Sequence, residues 1–284
     1  MDWIRRWIEG SPYAAALGVR VDALEEGAAR LLLPYQDANS NPGKALHGGV
    51  AASLVMLGGQ AVARAALGPD TGPWHTSAAQ IVYLAAAIGE PVVADARLLR
   101  TGKELGFAEV DVRSAAGKPV ARGLVSVRGR LGAAAAERPA AKGDPGEAEP
   151  GTMGPHIERL PFIQGLGLRI EHMANGRSRI RMPWRERNAD AAGGVHEGAV
   201  LALLDTTGAM ASWAETGPGP FKASTPALQA QILAPPGHGD LVGYGRVVLH
   251  DRELFLAEVE VAGAEDGRLV ARGSVQYRIV VPGA

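Results

Sequence analysis

The feature that most constrains the fold of this chain is an internal repeat. When the 284-residue sequence is shifted by 149 positions against itself, matching segments keep their order and spacing through a whole half. SPYAAALGVRV faces LPFIQGLGLRI, ELGFAEVDV faces ELFLAEVEV, His47 faces His196, and ARGLVSVR faces ARGSVQYR after one inserted residue. This period is far longer than the roughly 20–50 residues of a solenoid repeat. The repeat therefore indicates two copies of one domain.

The two copies are separated by a stretch of different composition. The segment LGAAAAERPAAKGDPGEAEPGTMG consists mostly of Ala, Pro, Gly and Glu and has no apolar periodicity. Such a composition is typical of an exposed, mobile linker of moderate reach. We therefore predict a first domain over residues 1–130, a linker over 131–153 and a second domain over 154–284.

Each copy has the same predicted order of elements. A short helix is followed by an alternating strand, a loop rich in Gly, Asn or Pro, a long apolar helix and three further strand regions, the last of which form a hairpin. One central helix and about five antiparallel strands per copy indicate an α+β fold. In such a fold the sheet wraps around the helix to bury its apolar surface.

Composition excludes several classes of function. The net charge is −1 and no run of Lys or Arg is present, which argues against a nucleic-acid-binding surface. The absence of cysteine excludes disulfides, thiolate metal sites and cysteine nucleophiles, and the histidines lack metal-ligand spacing. The N-terminus predicts a short amphipathic helix and not a signal peptide. The apolar stretch from Val50 to Leu67 contains Gln60 and Arg64, which favours a core helix over a membrane span. We expect a cytoplasmic protein without a metal.

The first candidate for chemistry is the loop that precedes the long helix of the first copy. His47, Gly48 and Gly49 stand where the helix begins. The first N–H groups of a helix have no internal partners, and glycine allows a ligand to approach them closely. This start can stabilise a carbonyl oxygen that gains negative charge. The alternative is that the glycines only relieve a tight turn and that His47 caps the helix.

The second candidate is Asp205, which lies in the apolar helix of the second copy nine residues after His196. The first copy has Met56 at the corresponding position. A buried carboxylate is costly unless it is hydrogen-bonded or protonated, and carboxylates in such places often perform chemistry. The alternative is a structural aspartate bonded to a nearby hydroxyl such as that of Thr206.

Helix geometry limits how these groups can meet. Nine residues of helix rise about 13–14 Å and leave a net rotation of about half a turn. Asp205 and His196 therefore cannot share one small reactive centre. A two-fold arrangement of the copies would place the helix start of one copy against the helix middle of the other, and two composite sites would form.

At these residues the sequence resembles the hotdog-fold acyl-CoA thioesterases, in particular the PaaI-like group. The group has an Asn, a His-Gly-Gly six residues later and an Asp nine residues after the His. The first copy matches with Asn41, His47, Gly48 and Gly49, but has Met56 in place of the Asp. The second copy matches with His196 and Asp205, but has Asp190 for the Asn and Glu197 for the first Gly.

The resemblance implies a double hotdog in which a carboxylate on the long helix of one copy acts as base or nucleophile. The Asn and the N–H after the His, from the other copy, hold the thioester and water, and a hydroxyl on the next strand assists the carboxylate. The first composite site is complete and consists of Asn41, His47, Gly48, Asp205 and Thr225. The second composite site is degenerate and consists of Asp190, His196, Glu197, Met56 and Thr76. We therefore expect that duplication made two sites and that only the first remains active.

The resemblance also implies the substrate, an acyl-CoA thioester, with no separate cofactor. Basic residues that could contact the CoA phosphates are Lys103, Arg128, Arg252 and Arg278. We expect no nucleic-acid or membrane partner, whereas exposed sheet edges make a homo-oligomer of double hotdogs plausible. Two other functions stay open: a hotdog enoyl-CoA hydratase or dehydratase, against which the Asn–His–Gly–Gly pattern argues, and a non-catalytic acyl-CoA sensor.

Overall fold

The computed structural model describes residues 1–129, 137–144 and 146–281, which form two similar lobes. The first lobe contains α1 (Asp2–Glu9), α2 (Pro12–Leu17), β1 (Arg20–Glu25), β2 (Ala28–Leu33), α3 (Gly48–Leu67), β3 (His75–Tyr83), β4 (Val92–Thr101), β5 (Leu105–Ser114) and β6 (Pro119–Arg128). The second lobe contains α4 (Gly154–Ile157), α5 (Pro161–Leu166), β7 (Arg169–Ala174), β8 (Arg177–Met182), α6 (Glu197–Thr216), β9 (Lys222–Ile232), β10 (Leu241–Asp251), β11 (Leu254–Gly263) and β12 (Leu269–Val280).

All of these strands belong to one antiparallel sheet. Its order is β1-β2-β4-β5-β6-β3-β9-β12-β11-β10-β8-β7, so each lobe contributes six strands. The lobes join where β3 pairs with β9, and Gln80 faces Gln229 across that junction. Because the same strand of each lobe forms the junction, the lobes are related by an approximate two-fold axis.

The two long helices lie inside the curve of this sheet and touch each other. Nearly all of α3 and α6 is buried, since both helices carry small and apolar residues on every side. Glycines permit the close crossing. A Cβ added to Gly49 would lie 2.7 Å from the Ala202 Cβ, and one added to Gly198 would lie 2.8 Å from the Ser53 Oγ. The start of each helix therefore packs against the other helix.

Helix α3 is long and apolar enough to cross a membrane by length and composition alone. In the structure, 83% of its most apolar window is buried within the protein. This burial agrees with the prediction of a core helix for residues 50–67.

The α+β architecture predicted from the repeat, and the double hotdog that the resemblance implies, are confirmed. The structure differs in having six strands per lobe where the sequence pattern indicated about five. The additional strands are β1 and β7, at the outer edges of the sheet. In β1 only Val21 is fully buried, and a bulge interrupts its pairing with β2. Because the alternation of buried and exposed residues in β1 is short and interrupted, the sequence gives little indication of this strand.

The described part of the segment between the lobes lies against the second lobe. Ala140 pairs with Arg268, the Lys142 N–H donates to the Glu260 carboxylate, and Glu149 pairs with His172. These contacts differ from the mobile linker that the composition indicated, because the backbone groups of this segment find partners on the edges of β7 and β12. Residues 130–136 and 145 lie outside the described residues, as do 282–284, and the domain boundaries stay a prediction.

Candidate functional site

Asp205 lies in the middle of α6 with a side chain that is only 3% exposed. Its Oδ1 atom accepts a hydrogen bond of 3.0 Å from the Thr225 hydroxyl, at the start of β9. Burial raises the pKa of the Asp205 carboxyl to about 6, and the Thr225 hydrogen bond opposes that rise. The carboxylate is therefore ionised at neutral pH, yet basic enough to take a proton from water.

The second oxygen of Asp205 reaches across to the first lobe. A Cβ added to Gly48 would lie 2.7 Å from Asp205 Oδ2, so only glycine leaves room for the carboxylate at this position. Gly48 is the first residue of α3, where backbone N–H groups have no partner within the helix. The predicted pair from opposite lobes, Gly48 and Asp205, is thus brought together with Thr225.

His47 and His196 cap the two long helices. The Nδ1 atom of each imidazole accepts a 3.0 Å hydrogen bond, from the N–H of Gly49 and of Gly198 respectively. Burial lowers the pKa of His47 to about 4 and that of His196 to about 3, so both rings are neutral. In this geometry each imidazole caps its helix start, which was the alternative interpretation of His47.

The structure shows no hydrogen bond from the Asn41 side chain to any described residue, and the role of Asn41 stays a prediction. Its counterpart Asp190 accepts from the Ala192 N–H at 2.8 Å within its own loop. Sequence analysis missed a different pair, Asn39 and Asn188. Both are buried, and they donate to the Leu17 and Leu166 carbonyls at 2.7 and 2.8 Å, which ties each loop to the preceding short helix. Their equal spacing in the repeat was the available signal.

The second composite site is filled by its own polar groups. Glu197 Oε2 accepts from the Gln60 amide at 2.5 Å and from the Thr76 N–H at 2.9 Å, and the Gln60 amide also lies 2.8 Å from Thr76 Oγ1. Burial raises the pKa of Glu197, while its hydrogen bonds to Thr76 lower it. Met56 is fully buried. Glu197 and Thr76 were both predicted here, but they are joined by Gln60, which was not.

Arg64 closes this cluster on one side. Its guanidinium carbon lies 3.8 Å from the centre of the Trp7 ring and 5.2 Å from that of Trp74, and Trp3 stacks on Trp74. Burial lowers the pKa of Arg64 to about 10, against the opposing effect of Glu197. The second composite site is therefore closed by a cation and by aromatic rings from α1 and from the start of β3.

Several aromatic residues that sequence analysis did not assign to the first composite site lie near it. The Tyr83 hydroxyl donates to the Gly48 carbonyl at 3.2 Å, and burial, with a smaller effect of the Asp205 charge, raises the pKa of Tyr83. Trp213 donates from Nε1 to the Tyr277 hydroxyl at 3.1 Å and stacks on Phe221. The signal that could have found three of them is the repeat itself. Tyr83, Trp213 and Tyr277 face Ile232, Arg64 and Val127 in the other copy, and none of these is aromatic.

Comparisons with known proteins agree with this architecture. The family described as Domain of unknown function (DUF4442) matches residues 5–128, the first lobe. A protein of Halobacterium salinarum with the name "Putative esterase" is 34% identical over 113 residues, which are 38% of this chain and 74% of that protein. The chain belongs to the same family as that protein.

Solved structures show the same double hotdog over most of their length. The tesB protein of Mycobacterium avium subs paratuberculosis has a TM-score of 0.70 and 15% identity, covering 94% of this chain and 98% of that chain. Acyl-CoA thioesterase II TesB2 of Mycobacterium marinum has a TM-score of 0.65 and 12% identity, covering 95% and 97%. A conserved protein of unknown function with hot dog fold from Alicyclobacillus acidocaldarius has a TM-score of 0.70 and 16% identity, covering 97% and 98%.

In this double hotdog the four basic residues predicted to contact CoA divide into two kinds. Arg128 lies 3.7 Å from Glu104, and Arg278 lies 2.6 Å from Glu253, so two of the cations already have a carboxylate partner. The other two, Lys103 and Arg252, are exposed in turns between strands. A role of any of them toward phosphate stays a prediction.

Proposed function

We propose that this double hotdog is an acyl-CoA thioesterase that hydrolyses its substrate to a free acid and CoA at the first composite site. The observation that carries the proposal is the meeting of Asp205 from the second lobe with Gly48 from the first. A buried carboxylate whose free oxygen faces an unpaired helix start is suited to acyl transfer to water.

The chemistry follows from the position of these groups. The Gly48 N–H holds the thioester carbonyl oxygen as it gains charge. Asp205 takes a proton from water, and the water oxygen bonds to the carbonyl carbon. The tetrahedral intermediate then collapses, the carbon–sulfur bond breaks, and the thiolate of CoA leaves with the electron pair. An equivalent route starts with attack by Asp205 itself, which gives a mixed anhydride that water opens.

The remaining predicted residues support this centre. The Thr225 hydroxyl holds one carboxylate oxygen and leaves the other free toward Gly48. His47 keeps the start of α3 in place by capping Gly49. Asn41 orients the water or the thioester, and the assignment to the PaaI-like group rests on this residue together with the His-Gly-Gly that follows it.

The second composite site does not take part in hydrolysis. The position that corresponds to Asp205 is occupied by Met56, and the position that corresponds to Gly48 carries Glu197, whose carboxylate is already bonded to Gln60 and Thr76. Each chain therefore has one site. We further propose a cytoplasmic location and contacts of the exposed Lys103 and Arg252 with the CoA phosphates.

The test is a panel of acyl-CoAs of varied chain length, followed by the release of free thiol. Asp205→Asn should reduce kcat at least 100-fold, since an active-site group of this kind contributes about as much as an oxyanion donor. Asp190→Asn is the matched control, because it removes a carboxylate from the second composite site, and it should leave kcat unchanged.

Three results would refute the proposal. If Asp205→Asn turns over the best substrate at a near-normal rate, Asp205 is neither the base nor the nucleophile. Tight acyl-CoA binding without any thiol release would favour a sensor instead, and water addition to crotonyl-CoA would favour a hydratase.

A further inference from the structure

The two lobes carry different side chains at the positions near Asp205. The repeat equates Trp213 with Arg64 and Tyr277 with Val127, in the same way that it equates Asp205 with Met56. The lobe that carries the carboxylate therefore also carries an indole and a phenol at two positions where the other lobe has Arg64 and Val127. This difference singles out Trp213 and Tyr277 as groups related to the carboxylate and not to the fold that both lobes share.

Tyr277 lies beside the residue that binds Asp205. Along β12, Gln276 pairs with Ala227 and Arg278 pairs with Ser224, so two residues of β9 face the single residue Tyr277. These two residues are Thr225 and Pro226. The bulge places Tyr277 next to Thr225, and the Asp205 charge, after the larger effect of burial, contributes to raising the pKa of Tyr277 to about 12. The phenol is therefore neutral at physiological pH.

The hydrogen bond from Trp213 determines what the Tyr277 hydroxyl can do. An indole N–H can only donate, so in the 3.1 Å contact between Trp213 and Tyr277 the phenol oxygen is the acceptor. The structure shows no acceptor for the proton of Tyr277 among the residues that it describes. A half-buried phenol whose oxygen already accepts from an indole can therefore donate its O–H proton to a bound ligand.

The space beside Trp213 also differs from its counterpart. In the first lobe, Arg64 is covered by the Trp7 ring of α1. The residue equivalent to Trp7 is His156, which is exposed and bonded to Arg159 at the surface. Trp213 stacks instead on Phe221, with ring centres 6.2 Å apart. The cover that closes the second composite site is therefore not repeated over the first one.

We propose that the Tyr277 hydroxyl, held by Trp213, donates a hydrogen bond to the thioester group of the substrate and acts as a second donor beside the Gly48 N–H. This inference rests on the proposed thioesterase function. The donor strengthens its bond as the carbonyl oxygen becomes an oxyanion, and the phenol keeps its proton throughout. Trp213 is the positioning residue, since it orients the hydroxyl without touching the thioester.

The experiment compares Tyr277→Phe with wild type in the thiol-release assay. Loss of one donor of this type should lower kcat about 100-fold and leave KM within about threefold, because the bond forms mainly in the transition state. Tyr244→Phe is the matched control: it removes a half-buried phenol from β10, on the far side of the lobe, and kcat should not change. Melting temperatures establish that each variant is folded.

Trp213→Phe provides a second test that does not alter the hydroxyl itself. It keeps a ring against Phe221 but removes the N–H that orients Tyr277. It should lower kcat by a smaller factor, and the double variant should be no slower than Tyr277→Phe alone, because the two residues act as one unit.

The outcomes separate the inference from the proposed function. If wild type releases thiol and Tyr277→Phe keeps kcat within about twofold, or changes KM alone, the inference is wrong and the thioesterase stands. Additive losses in the double variant would also overturn the role of Trp213. If wild type neither binds nor cleaves any acyl-CoA, both the function and the inference fall.

Discussion

Asp205→Asn should stabilise the folded protein above pH 6 even as it removes the proposed base. The pKa of Asp205 is raised from 3.8 to about 6 because the carboxylate is buried between the lobes. A difference of about 2 units, at 1.36 kcal/mol per unit, corresponds to about 3 kcal/mol. The folded state holds the proton more tightly than the unfolded state. The stability that Asp205 contributes is therefore complete below pH 3.8 and is lost as the pH rises through 6.

The assay is urea unfolding of wild type and Asp205→Asn at intervals between pH 4 and pH 8. The difference between the two proteins is the quantity to follow, because His47 and His196 have lowered pKa values and change the stability in the opposite direction over part of this range. The variant should gain up to about 3 kcal/mol on wild type between pH 4 and pH 7. Asp190→Asn, at a half-buried loop position, should show no such gain.

An equal stability of wild type and Asp205→Asn at every pH would refute this reasoning. It would mean that the carboxylate is solvated in the folded protein, and the argument for a tuned general base would fail with it. If Asp205→Asn gains stability but still releases thiol at the wild-type rate, Asp205 is buried but is not the catalytic base.

Three further predictions follow from the geometry. Gly48→Ala should lower kcat/KM at least about tenfold in the thiol-release assay, because the added methyl group would contact the Asp205 carboxylate. The melting temperature should change little, since the equivalent position in the second lobe already carries the larger Glu197. Normal turnover would contradict the contact. Glu197→Ala should lower the free energy of unfolding in urea by about 1–3 kcal/mol, because it leaves buried donors on Gln60 and Thr76 without a partner. It should leave kcat unchanged. An unchanged unfolding midpoint would show that the cluster does not stabilise the fold. The profile of kcat/KM against pH should rise through about 6 to a plateau, as Asp205 loses its proton, and a profile flat from pH 5 to 8 would exclude Asp205 as the base.

Much of the fold could be predicted from the sequence because it is repeated. Two copies of the same helix-and-strand order had to form two similar lobes, and the identical position of His47 and His196 indicated two equivalent helix starts. The sequence could also indicate that Asp205 faces the other lobe, because helix geometry separates it from His196 in its own lobe. Gly48 and Asp205 do meet in the structure.

The groups that were missed are those whose contacts join distant parts of the chain. Gln60 of α3 meets Glu197 at the start of α6, which belongs to the other lobe. Tyr277 reaches the neighbourhood of Thr225 through a bulge in β12 pairing, which no sequence pattern marks. The Arg64 guanidinium lies on the ring of Trp7, which belongs to α1 and precedes the first matching segment of the repeat. Each depends on tertiary geometry and not on local periodicity.

The most direct test of the composite site is the structure of Asp205→Asn bound to an uncleaved acyl-CoA. The account predicts one ligand per chain, with the thioester carbonyl oxygen about 3 Å from the Gly48 nitrogen and its carbon beside the side chain at position 205. A thioester seated beside Met56 and Glu197, or bound within one lobe away from both long helices, would contradict it.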